Sequence, residues 1–90
     1  MDHVAESLLT AVLAEIEIPR QQMRRNIYQQ IVAHEGLVSN AVTTPEAQEK
    51  AIEEFRTRFR TCLEHEASKA DAKTASHLRE VVKIFAGDRV

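Results

Sequence analysis

Hydrophobic residues recur at three- and four-residue steps along most of this chain, which is the period of a helix that buries one face. Ala5, Leu8, Leu9, Val12, Leu13 and Ile16 form such a face between residues 4 and 17, with Glu6, Ser7, Thr10 and Glu17 opposite. Asp2 stands where a carboxylate would cap the first turn. Ile18-Pro19 ends this helix, because a residue before proline is pushed out of the α region. Proline suits the first position of a new helix, so a second one is expected over 19–35, stopped by Gly36. Its apolar row is Met23, Ile27 and Ile31, flanked by Tyr28 and Val32.

Leu37 to Thr43 is expected to be the main loop, with a turn at Ser39-Asn40. Leu37, Val38, Ala41 and Val42 are too apolar for an open tether, so the loop should fold back over the core. Thr44 then offers an N-cap, Pro45 the first helical position, and Glu46 and Glu49 complement the positive end of the helix dipole. From Ile52, the residues Phe55, Phe59, Cys62, Leu63, Ala67, Ala70, Leu78, Val81, Ile84 and Phe85 stay on one stripe. No glycine or proline interrupts the chain between Pro45 and Gly87. The unbroken phase favours one long helix over 45–86. Ser68 and Asp71 resemble a capping pair, so 68–71 is the place where it would bend or break.

The expected fold is all-α, a small helical bundle in one domain spanning residues 1–90. Two short helices, 4–17 and 19–35, pack on the long C-terminal helix 45–86. An unbroken helix would be about 60 Å long, against about 47 Å for the first two together. The short pair cannot enclose both sides of such a stripe, so an apolar strip would remain for a second copy or another protein. A homodimer is the expectation on that reading. A break near 68–71 would instead give four helices able to close on themselves.

Composition narrows the functional classes. Apolar residues are 43% and charged residues 29%, a globular balance, and the net charge of −2 argues against a general nucleic-acid coat. The single Cys62 cannot form an internal disulfide. The N-terminal residues lack the cationic start and apolar run of a signal peptide, and no apolar run is long enough to cross a bilayer. A cytoplasmic location is expected.

Little chemistry is visible. His3, His34, His65 and His77 show no metal-ligand spacing, and Cys62 has no partner motif. His77 lies on the apolar stripe, where a buried or interfacial histidine is expected. Glu46, Glu49, Glu53 and Glu54 lack a second acidic helix with which to hold a metal. No enzyme, cofactor, metal or small-molecule substrate is expected. Arg56, Arg58 and Arg60 point to different sides and are expected on a solvated face paired with glutamates.

The second helix is the candidate surface. Arg20 and Arg24 lie on the side of Ile27 and Ile31, whereas Gln22, Asn26, Gln29 and Gln30 are polar but uncharged. Such arginines either lie along the core margin and pair with a glutamate of the long helix, or form a recognition surface. Arg20, Arg24, Arg25 and Gln29 are therefore the candidate partner-binding residues. The leading functional expectation is a non-enzymatic protein–protein interaction module: an adaptor, regulator or inhibitor. The alternative is a dimeric DNA- or RNA-binding regulator using helix 19–35, because Arg, Gln and Asn also read base edges.

Overall fold

The computed structural model describes residues 3–85, and within them the chain is entirely helix and turn. Four helices follow in order: α1 His3–Ala14, α2 Arg20–Ser39, α3 Pro45–Lys69 and α4 Ala72–Phe85. The expected cap at Asp2, and the continuation of the last helix to residue 86 and Gly87, lie outside the described residues.

The expected long helix is two helices. At Ala70 the backbone turns extended, with φ −86° and ψ 163°, and α4 begins two residues later. Asp71, rather than Ser68, restarts the helix: its Oδ1 accepts from the Thr74 amide at 2.8 Å. The Ser68 hydroxyl instead donates to the His65 carbonyl within α3. The reason for the break is packing. Phe59 and Phe85 would stand about 39 Å apart on one continuous helix. Folded back as a hairpin, their ring centroids are 5.5 Å apart, and Phe55 stacks beside Phe59 at 6.0 Å. A stripe that keeps phase through a break serves both arms of the hairpin, because each arm shows the other its apolar side.

Two further boundaries depart from expectation. α1 ends at Ala14, three residues short of Glu17. Glu15, Ile16 and Ile18 continue with tighter i to i−3 bonds, ahead of the unfavourable position before Pro19. Pro19 itself stands just outside α2, at its N-cap position. At the other end Gly36 does not stop α2, which runs on to Ser39. Continuing keeps Val38 in phase with Ile27, Ile31 and His34, and Val38 packs on the core. That burial outweighs the roughly 1 kcal/mol that an interior glycine costs. The connection before α3 is therefore short, and Leu37, expected to fold inward, is 59% exposed. Thr44 does cap α3, its hydroxyl accepting from the Ala47 amide at 3.2 Å, with Pro45 next.

One hydrophobic core draws on all four helices. Leu8 and Val12 come from α1, Ile27 and Ile31 from α2, Phe55, Phe59 and Leu63 from α3, and Leu78, Val81 and Ile84 from α4. The molecule measures 41 × 25 × 20 Å, shorter than the unbroken helix would be. Closure into four helices removes the exposed strip along a long helix that argued for a dimer.

Polar ties join the helices around this core. His34, buried on α2, has Nδ1 against the Gln30 carbonyl at 2.7 Å and Nε2 against the Ser7 hydroxyl at 3.2 Å. A carbonyl can only accept, so Nδ1 carries the proton and Nε2 accepts from Ser7. Arg56, on α3, lies 3.2 Å from Glu35 and donates to the Phe85 carbonyl. It thereby satisfies one of the carbonyls that the end of α4 leaves open.

Candidate functional site

α2 presents two unlike sides at its first half. The inward side follows from Met23 and Ile27, whose burial sets the rotation of the helix. Arg20 and Arg24 share that side and meet Glu80 of α4. Arg20 Nη2 donates to Glu80 Oε1 at 2.8 Å, and Arg24 Nη1 donates to the same oxygen. Lys83 stands 4.0 Å from the other carboxylate oxygen. Arg24 is almost enclosed, with 11% of its side chain exposed, whereas Arg20 is 70% exposed. Burial works to raise the Glu80 carboxyl, and the two guanidiniums overcome it and hold the group below its ordinary value.

Of the four candidate partner-binding residues, the fold therefore directs Arg20 and Arg24 toward α4. Arg25 and Gln29 lie on the outward side, both exposed. Arg25 is steadied by Gln22, which accepts at 3.3 Å and in turn donates to Asn26 at 2.8 Å. Asn26 also donates to Glu15, at 3.2 Å to each oxygen, tying α2 to the α1–α2 turn. The outward side continues through Val32, 48% exposed, to Ala33 and Gly36. Open space surrounds Gly36, with no neighbour within 4 Å of where a Cβ would stand. Leu37 lies at the edge of this strip. Arg25 is the only charged residue on this side of the helix.

Glu80 was not among the sequence candidates. Its signal was nonetheless present: it falls three and four residues from His77 and Ile84, so a carboxylate sits at the margin of the apolar stripe. Arg24 sits at the matching margin of α2. Two opposite charges placed on core margins are expected to find each other, but only the hairpin brings these two helices side by side.

His77 is buried, 8% exposed, and its Nε2 donates to the Val12 carbonyl at 2.6 Å. The bond ties α4 to the end of α1. Lys73, one turn earlier, pairs with Glu17 of the α1–α2 turn. Arg58 and Arg60 are exposed on α3, apart from the Arg20–Arg24–Glu80 group. Burial, followed by the charge of Glu66, raises the Cys62 thiol. Among the described residues no three His, Cys, Asp or Glu side chains converge as a metal set. No helix among them is long and apolar enough to cross a membrane. Compared with known protein families, curated proteins and solved structures, the chain matches none.

Proposed function

We propose that the protein is a non-enzymatic, cytoplasmic protein-binding module, an adaptor, regulator or inhibitor, that docks its partner on the outward side of α2. The observation that carries this reading is the strip from Arg25 through Gln29 and Val32 to Leu37. It leaves two large aliphatic side chains in water on a helix whose other side is packed. Val32 and Leu37 offer apolar area to a partner, and small residues at Ala33 and Gly36 let a partner backbone approach.

The partner that fits is an amphipathic helix of another protein, laid along α2 with an acidic residue opposite Arg25. A flat helix-on-helix contact suits a surface with no deep cavity, and one cation among neutral glutamines selects a complementary anion without repelling an apolar face. Arg25 and the aliphatic pair would supply the energetic centre, and Gln22 and Gln29 the polar rim.

The test is a tagged capture from host lysate, with and without nuclease, using the native chain and the variants Val32→Asp and Arg25→Glu. The expected result is one protein recovered equally after nuclease and lost with either variant, while Arg79→Glu retains it and circular dichroism is unchanged. Retention by both variants would overturn the surface. Capture that disappears with nuclease, and falls steeply with salt, would replace this reading with the nucleic-acid one. Recovery of only a second copy would make the strip a self-association face.

A further inference from the structure

A cleft of about 260 Å³ lies where the α1–α2 turn meets α4, away from the outward strip of α2. One wall is apolar: Ile16 and Ile18 of the turn and Met23 of α2. The other is polar, with Lys73, Ser76 and His77 of α4, and Arg20 and Glu80 also line it. We infer that this cleft binds a small amphipathic anion, a carboxylate or phosphate head on a short apolar body.

Charge points to the head. Arg20 and Lys73 line the cleft beside Glu80, Arg24 and Lys83 join Arg20 on the Glu80 carboxylate, and Glu17 pairs with Lys73. The lining itself carries two cations, Arg20 and Lys73, against the one carboxylate of Glu80, on a chain whose net charge is −2. Glu80 lines the cleft, but its carboxylate is already met by Arg20, Arg24 and Lys83. The Lys73–Glu17 pair is exposed at both ends, 64% and 74%, and such pairs contribute little and exchange readily. An oxyanion can take the place of Glu17 on Lys73 and engage the remaining donors of the Arg20 fork.

Two further groups belong to the elements that line this space, α2 and α4. Pro19 stands at the N-cap position of α2, and no side chain caps this helix. Its first-turn amides therefore have no intrahelical acceptor, and an anion near them is favoured by the helix dipole. His77 is more than nine-tenths buried, and its wall position is set by the Nε2 bond to Val12. That bond leaves Nδ1 as an acceptor. An oriented ring on the wall of this cleft can take a hydroxyl of the ligand, or the proton of a phosphate monoester.

The experiment is an NMR titration of the whole chain at constant ionic strength, following the amides of Arg20, Lys73 and Ser76 and the ring signals of His77. The probes are hexanoate and hexyl phosphate, with acetate and inorganic phosphate as heads without a tail. The expected result is saturation by at least one tailed anion, about tenfold or more tighter than its own head alone, because the tail reaches Ile16, Ile18 and Met23. The tighter head identifies the ligand class. Arg20→Gln with Lys73→Gln should weaken that binding about tenfold or more and leave helicity unchanged. Linear, non-saturating shifts with both tailed anions would overturn the inference. So would equal affinity for heads with and without tails, or undiminished binding by the double variant.

Discussion

Arg24 of α2 and Glu80 of α4 lie 56 positions apart in the chain and share a hydrogen-bonded ion pair at the edge of the core. Arg24 is nearly enclosed, so removing Glu80 takes from its guanidinium an anionic partner that little water can replace. Glu80→Leu should cost roughly 2–3 kcal/mol. Arg24→Met in the same chain should return at least about 1 kcal/mol of that loss, since the enclosed charge that Glu80 balanced is gone. Urea unfolding of the two single variants and the double variant measures the coupling. Strict additivity would mean that the pair contributes nothing beyond its separate packing.

The same pair sets a pH dependence. The Glu80 carboxyl is held below its ordinary value of 4.5, so the folded state releases its proton more readily than the unfolded chain. The stabilisation is complete above 4.5 and is lost as pH falls below it, through the lowered folded value. The stability gap between the native chain and Glu80→Gln should be widest at neutral pH and narrow steadily in acid. A gap that stays constant down to strongly acid pH would contradict the assignment.

Arg56 joins three elements. It pairs with Glu35 of α2, donates to the last carbonyl of α4 and lies 5.7 Å from the centre of the Phe85 ring. Arg56→Ala should lose about 2 kcal/mol. Arg56→Lys should restore less than half, because an ammonium cannot serve the carboxylate, the carbonyl and the ring face from one plane. Thermal unfolding of both variants decides this, and full rescue by lysine would reduce the role of Arg56 to charge alone.

Asp71 caps the second arm of the hairpin, α4. Its carboxyl is lowered by the hydrogen bonds from Thr74, as expected of a helix cap. Asp71→Ala should lower Tm by roughly 5 °C, and Asp71→Ser should keep most of the native value. Sedimentation of the alanine variant checks the alternative packing. An extended helix across 68–72 would expose the stripe and drive dimer formation, so a stable monomer with lowered Tm is the expected outcome.

Cys62 is half-buried on α3, and its raised pKa keeps the thiol protonated at neutral pH. Alkylation by iodoacetamide at pH 7.5 should be several-fold slower in the folded protein than in urea. Equal rates would place the thiol in open water.

The sequence by itself determined the helical class, most of the buried apolar positions (Leu13 and Val32 are exposed) and the start of α3. These are local matters: a 3.6-residue period, a threonine before a proline and alanine-rich turns act within a few residues of themselves. It also placed Arg20 and Arg24 on the core side of α2 and left a glutamate as their expected partner. Tertiary structure decided where the helices end. Gly36 is a stop signal in isolation, yet α2 runs through it because Val38 has a core to enter. Glu66 to Ser76 carries no glycine or proline, yet the chain turns at Ala70 because Phe85 gains more beside Phe59 than a straight helix offers. The identity of Glu80 as the partner, the hold of His77 on Val12 and the cleft beside them all follow from that turn. A period along the chain records which side of a helix is buried, but not which helix lies against it.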